Sequence, residues 1–345
     1  MVGEVLRKAA VIASTTATWS SEKYSPQFSH GTTGNSEDPP MQFDVAIIDE
    51  ASQLTIPAIL GALRLAKRFI LVGDEKQLPP LVLSKEAAGK GLADSLFSYL
   101  KRLDDDYMKE HTEESNVVAA CVSLRVQYRM NKWISNFSSR VFYEGKLEAA
   151  PAVAGRMLEV ATTGPWSTTE TPAILQALQA RYPLVFLDVR SEEGSEAIKS
   201  SNAEARVIRS VVKGLLVRGI KQKDIGIIAP YRAQVANLRR HLFSDDETSG
   251  WQALSSDTKM SIDTVDRFQG GERVVIIMSF ATPQAPGAES LLHEFLINPN
   301  RLNVALTRAQ RKLVLVGCAP ALEALPYFSR LLAYCRSMNT VIAYT

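Results

Sequence analysis

The sequence predicts an α/β fold with parallel sheets, arranged in two units. Near-continuous β-branched and aliphatic runs of strand length recur along the chain, as strands buried on both faces do. Stretches of helical periodicity separate several of them, the alternation that covers a parallel sheet on both sides. A length of 345 residues also exceeds one ordinary domain of roughly 150 residues.

The strands are read in order as VAIID (45–49), RFILVGD (68–74), CVSL (121–124), LVFLDV (184–189), IGIIAP (225–230), VVIIMSF (274–280) and KLVLVG (312–317). Between them, EARVIRSVVKGLLVRG (204–219) sets Ile208, Val211, Val212 and Leu215 on one helical face. Polar, turn-rich stretches at 29–40, 190–202, 244–258 and 282–290 read as loops. The acidic stretch DDDYMKEHTEESN (104–116), poor in apolar residues, reads as a linker, which divides the chain into 1–115 and 116–345. The first unit then holds about three strands, few for an independent α/β domain, so a unit lacking its front is expected. No internal repeat is evident.

Hydrophobic residues at 46% and charged residues at 22% allow a core and argue against disorder. With 39 Lys and Arg against 37 Asp and Glu, a net charge of +2 excludes a strongly basic coat while leaving room for a local groove. Three cysteines, Cys121, Cys318 and Cys335, lack paired spacing, which excludes a four-cysteine zinc or iron–sulfur site and a disulfide framework. A reducing, intracellular compartment is the natural expectation. No run approaches the roughly 20 apolar residues needed to span a bilayer, and the first residues lack a secretory pattern. A soluble protein with no membrane partner is expected.

FDVAIIDEAS (43–52) carries two acids, Asp49 and Glu50, at the tip of an apolar strand. Such a pair suits magnesium–nucleotide chemistry: the first carboxylate holds the metal or its water, and the second orients and deprotonates the attacking water. Alone, the dipeptide reads at least as well as a solvated strand end. RFILVGDEKQLPP (68–80) then sets Gly73, Asp74 and Gln77 after a second strand. Gly73 permits a tight turn, Pro79 and Pro80 fix the loop that follows, and the Gln77 amide is placed to sense a terminal phosphate.

Three further polar clusters sit near strands of the second unit. They are Gln127, Tyr128, Arg129 and Asn131 in VSLRVQYRMN, then Thr264, Asp266, Gln269, Gly270, Gly271 and Glu272 in SIDTVDRFQGGERVVII, then Arg301, Asn303, Thr307 and Arg308 in NRLNVALTRAQRKLVLVG. Each arginine alone is explained by a surface salt bridge. Arginines from a second domain also serve to stabilise charge on a transferring phosphoryl group.

The ordered series IIDEASQ, VGDEKQLPP, QYRM, APYRAQ, TVDRFQGGE and RLNVALTRAQ resembles helicase superfamily one, in the branch that includes the nonsense-mediated-decay RNA helicases. The likeness spans roughly residues 9 to 320. A finer likeness, in GDEKQLPPLVLSKEAAGKGLADSLFSYL and VQYRMNKWISNFSSRVFYEGKLEA, is to the helicase part of the eukaryotic DNA-replication helicase/nucleases. The resemblance implies two RecA-like P-loop NTPase domains, the first truncated at its N-terminus, with ATP and Mg2+ as cofactors. It implies Asp49 as the magnesium ligand, Glu50 as general base and Gln77 at the γ-phosphate. Arg129 and Arg308 become arginine fingers, Tyr128 stacks on adenine, and Gly271 and Glu272 lie by the ribose and phosphates. Thr15, Thr16, Tyr231, Arg232 and Thr264 contact single-stranded DNA, or RNA; for Thr15 and Thr16 plain strand propensity is an equal explanation. A nuclear location follows from the same likeness.

The loop G-x-x-x-x-G-K-[ST], whose amides and lysine cradle phosphates, does not occur in the 345 residues. The pairs Gly89-Lys90 and Gly145-Lys146 are followed by Gly and Leu and lack the upstream glycine. The expectation is of a helicase part with little ATP turnover of its own, or of a non-catalytic nucleic-acid-binding module. A partner is then an upstream polypeptide carrying the missing loop. No nuclease activity is expected.

Overall fold

The structure, a computed structural model, describes residues 8–20, 42–111, 116–160, 171–190, 199–243, 259–268, 270–282 and 298–344. Gln269, the loops expected at 29–40 and 244–258, and residues 191–198 and 283–290 of the loops expected at 190–202 and 282–290 lie outside the described residues. Two compact units divide the chain, Met1–Ser123 and Leu124–Thr345.

In the first unit, strand β1 (Phe43–Ile48), helix α1 (Ile56–Leu63) and strand β2 (Ala66–Leu71) form a βαβ element with parallel pairing. Ile48, Ala51 and Ile59 are buried in a small core against Leu71, Leu96 and Phe97. The register aligns Ile47 with Ile70 on one face, and these side chains are 70% and 52% exposed, so among the described residues that face is uncovered. Helix α2 (Leu96–Glu110) starts at Ser95, whose Oγ accepts the Ser98 N–H at 3.0 Å.

Two expectations are corrected here. The acidic stretch read as a linker is helical as far as Glu110, because Leu100 and Leu103 just before it and Tyr107 within it keep helical spacing despite the charges. CVSL forms no strand, and Val122 and Leu124 are more than 80% exposed, with no ladder partner among the described residues to bury them.

The second unit opens with strand β3 (Val126–Gln127), helix α3 (Lys132–Phe142) and strand β4 (Glu148–Ala149), β3 and β4 pairing in parallel. Its main sheet comprises β5 (Leu184–Val189), β6 (Ile225–Ala229), β7 (Ser261–Thr264), β8 (Arg273–Ser279), β9 (Ala309–Gly317) and β10 (Val341–Tyr344). The spatial order is β10-β5-β9-β8-β6-β7, and every pairing is parallel. Helices α4 (Asn202–Val217), α5 (Arg232–Phe243), α6 (Pro299–Leu306) and α7 (Pro326–Ser337) connect or follow these strands. The α/β class with parallel sheets in two units is therefore as the alternation indicates.

The core lies where the apolar runs place it. Val185, Leu187, Ile225, Ile227, Val275, Ile277, Val314 and Val316 are buried against Ile208, Val211, Val212 and Leu215 of α4. On the other face of the sheet Gly226 lets Ile276 and Phe268 pack close, since a Cβ there would stand 2.7 Å from Ile276 Cδ1 and 2.9 Å from Phe268 Cε1. Strands β7 and β10, only four residues each at the two sheet edges, carry too little apolar pattern to be read in advance.

Candidate functional site

In the first unit, β1 ends at Ile48 and delivers Asp49 and Glu50 to the carboxyl end of the sheet, both exposed. The Ala51 N–H donates to Val72 O and the Val72 N–H to Ile48 O, each at 2.8 Å, so the tips of β1 and β2 are tied together. Glu50 occupies the left-handed region at φ 52° and ψ 34°. A non-glycine residue there carries strain of about 1–3 kcal/mol, and such strain collects at functional sites. Its carboxylate accepts from Gln53 Nε2, while the Glu50 N–H donates to Asp49 Oδ1 at 2.9 Å.

Gly73 sits so close that a Cβ would stand 2.9 Å from Ser52 N, which explains a glycine at this tip. Asp74 then organises the turn, accepting the Lys76 N–H at 2.9 Å and Gln77 Nε2 at 2.8 Å. The half-buried Gln77 is thereby fixed on the β2 side of the acid pair. One or two carboxylates at a strand tip fit a hydrated magnesium ion, which keeps most of its waters and takes its remaining ligands from phosphates. Among the described residues no group of three or more His, Cys, Asp and Glu is placed to hold a metal on its own.

In the second unit the residues singled out fall on two opposite edges of the sheet. Glu272 precedes β8 and Arg308 precedes β9, so both lie at the amino edge. Arg129 joins them: its Nε donates to Glu272 Oε2 at 2.5 Å and one terminal nitrogen donates to Thr307 O at 3.1 Å. Gln310 Nε2 donates to the other oxygen of Glu272 at 2.7 Å. Arg308 is 2% exposed, with Nε on Val304 O at 3.0 Å and a terminal nitrogen 3.4 Å from Gly271 O. Burial pushes the Glu272 carboxyl up, but the bonds from Arg129 and Gln310 and the charges of Arg129 and Arg308 outweigh it and hold the group below its ordinary value. Tyr128 is 72% exposed, leaving its ring open to stacking. Gln310 was not singled out from the sequence, being one polar residue in TRAQRKL with no local signal.

Tyr231, Arg232 and Thr264 lie at the carboxyl edge, following β6 and ending β7, where Ala229 registers with Thr264. Arg232 is exposed, and Lys199 stands 5.7 Å from the centroid of the Tyr231 ring. Thr15 and Thr16, in the first unit, open the helical turn Thr16–Trp19 and do not sit in a strand. Thr15 Oγ1 lies 3.0 Å from Thr18 Oγ1.

A second polar cluster at the carboxyl edge escaped the sequence reading. Glu204, 2% exposed, accepts from Ser279 Oγ at 2.6 Å, the Ala281 N–H at 2.9 Å, the Thr282 N–H at 2.8 Å and Thr282 Oγ1 at 3.0 Å. Burial pushes its carboxyl up to about 7 against the pull of these donors. It pins the chain leaving β8, where Ala281 adopts φ 50°. The available signal was the S-x-x-E helix-opening pattern of Ser201 and Glu204: Ser201 Oγ accepts the Glu204 N–H at 3.1 Å, while the Ser201 N–H donates to Gln234 Oε1 and leaves the Glu204 carboxylate to the exit of β8.

These features define an α/β protein of two parallel-sheet units, with an acid pair at a strand tip of one and arginines gathered at a sheet edge of the other. Two AAA domain family models match the sequence, one over residues 1–85 and one over residues 93–320, the latter more than half of the chain. The chain belongs to the AAA domain family. It is 36% identical over 315 residues to the DNA replication ATP-dependent helicase/nuclease DNA2 of Bos taurus, and 34% identical over 315 residues to that of Homo sapiens. Each alignment covers 87% of this chain and 27% of the relative, so the chain spans about a quarter of the length of these proteins. The resemblance to replication-type superfamily-one helicases read from the motifs thus holds over most of the sequence. Among solved structures, that of the PRRSV helicase covers 84% of this chain and 37% of that chain at a TM-score of 0.37 and 12% identity, too distant for any residue-level transfer. Among the described residues no helix is long and apolar enough to cross a membrane.

Proposed function

We propose that this chain is the helicase part of an ATP-dependent DNA helicase that works on single-stranded DNA in nuclear replication and repair. What carries the reading is 36% identity across 87% of the chain to a protein named for that activity. Asp49 holds Mg2+, and Glu50 orients and deprotonates the attacking water; Gln77 contacts the γ-phosphate. Arg129 and Arg308 act on the charge that builds during phosphoryl transfer, Tyr128 stacks on adenine, and Gly271 and Glu272 face the ribose and phosphates. When bound, Mg2+–ATP supplies the phosphoryl group whose transfer drives translocation. Thr15, Thr16, Tyr231, Arg232 and Thr264 contact the strand, read by backbone and stacking. The exposure of Asp49, Glu50, Tyr128 and Arg232 supports these roles.

A second reading, a non-catalytic nucleic-acid-binding module, is favoured by one observation: the 345 residues contain no G-x-x-x-x-G-K-[ST] loop. Under the first reading that loop is supplied by another polypeptide segment. Both readings require strand binding. The test is fluorescence anisotropy with single-stranded DNA and with RNA of the same sequence, for wild type and Arg232→Ala. We expect DNA binding that weakens with salt, with a slope shallower by about 0.7 in the variant, the value of one phosphate contact on a single strand. Binding to neither strand defeats the proposal, and preference for RNA makes the chain an RNA helicase part instead.

A further inference from the structure

We propose that the second unit carries an accessory single-strand site, a basic cleft that opens at the carboxyl edge beside β5 and β10 and runs down the outer face of α4, extending the path beyond Tyr231 and Arg232. This rests on the nucleic-acid reading above. The cleft has a volume of about 940 Å³ and is lined by Arg190, Arg206, Arg209, Lys213 and His241, with Asp188 as the one carboxylate among its described lining residues.

Its construction follows from the fold. Residues 206, 209 and 213 fall on one face of α4, because side chains three and four apart are neighbours on a helix. The opposite face, with Val207, Ile208, Val211 and Leu215, is buried in the core, so the basic stripe is directed outward by the packing. The stripe runs about 10 Å along the helix at 1.5 Å per residue. Arg190 enters from the end of β5, and His241 from α5, where its Nδ1 lies 3.0 Å from Asn237 O. Asp188 is already engaged, its Oδ1 accepting the Ala319 N–H at 2.8 Å. Cations gathered in a concave, low-dielectric wall focus positive potential and attract a polyanion far more than the same charges spread over a convex surface.

The cleft is also in line with the strand contacts already proposed. All six strands are parallel, so the ends of β5, β6, β7 and β10 share one edge. β6 and β5 stand three strand spacings apart, about 14 Å. Lys199, beside the Tyr231 ring, belongs to the segment between β5 and α4, on the way from one group to the other.

The test compares the salt dependence of binding to a single-stranded oligonucleotide for wild type, the triple variant R206Q/R209Q/K213Q, and the matched control K146Q/K221Q/K223Q. The control removes the same charge from exposed positions outside the cleft. Each single-strand phosphate contact contributes about 0.7 to the slope of log K against log salt, so the triple variant is expected to lose about 2 and the control nothing. An unchanged slope in the triple variant, or equal losses in both, overturns the site while leaving the nucleic-acid reading intact. Absence of binding by the wild type defeats the reading itself. Circular dichroism melts accompany each variant; a triple variant that melts with the wild type yet binds with the full slope also sinks the inference.

Discussion

Arg129 and Glu272, 143 positions apart in sequence, meet as an ion pair at the amino edge of the second unit's sheet. The two side chains are 33% and 43% exposed, so solvent screens much of their attraction. We predict that Glu272→Gln costs about 0.2–1 kcal/mol at neutral pH, the range of solvent-screened pairs. Glu272 is held below its ordinary value, so its contribution is present above the unfolded carboxyl pKa and is lost as pH falls through the folded one. Urea unfolding of wild type and variant should differ at pH 7 and converge in acid. A difference that persists unchanged in acid contradicts the pairing.

Lys312 is fully buried in β9, with Nζ 3.1 Å from Gln179 O and 2.7 Å from Tyr182 O. Burial pushes its pKa down to about 7 from 10.5. The unfolded chain then binds a proton that the folded chain has released, so stability rises with pH between about 7 and 10.5, by at most about 1.4 kcal/mol per unit. Wild type should therefore gain on Lys312→Met in urea midpoints as pH is raised from 7.5 to 9.5. Parallel midpoints for the two would show that Lys312 stays charged in the fold.

Glu204 works in the opposite sense. With its carboxyl raised to about 7 from 4.5, the folded state keeps the proton longer, and this group's contribution falls as pH rises through that window. Glu204→Gln offers one acceptor oxygen where two now receive four donors, and unmet buried donors cost roughly 1–3 kcal/mol. The substitution should thus destabilise at pH 5 and cost measurably less at pH 8. Chemical denaturation at the two pH values checks this, and a larger cost at pH 8 would show that the donors keep Glu204 ionised.

Much of this was legible in the sequence because parallel strands buried on both faces announce themselves as apolar runs. LVFLDV is a strand over the very residues read, and the helix predicted over 204–219 spans Asn202–Val217. CVSL reads as a strand on the same grounds yet has no partner strand among the described residues, and pattern alone does not reveal pairing. The four-residue edge strands β7 and β10 are too short to carry a pattern of their own. The residues of the candidate sites were readable as motifs, but their grouping on two edges was not. That grouping depends on the strand order, and parallel crossovers bring distant segments together. Gln310 and Lys312 illustrate the limit: each is an ordinary polar residue in sequence, and only the folded sheet gives it Glu272 or a pair of carbonyls as partner.

The most direct measurement is ATP turnover by the chain, with and without single-stranded DNA, beside Glu50→Gln. The acid pair, Gln77 and both arginines are present, but the amide cradle and lysine that offset phosphate charge are not in the 345 residues, and such preorganised charge is usually the largest catalytic term. Turnover no higher than that of Glu50→Gln is expected, with strand binding retained. Turnover stimulated by DNA and abolished by Glu50→Gln would contradict it, and would mean that other residues of this chain hold the phosphates.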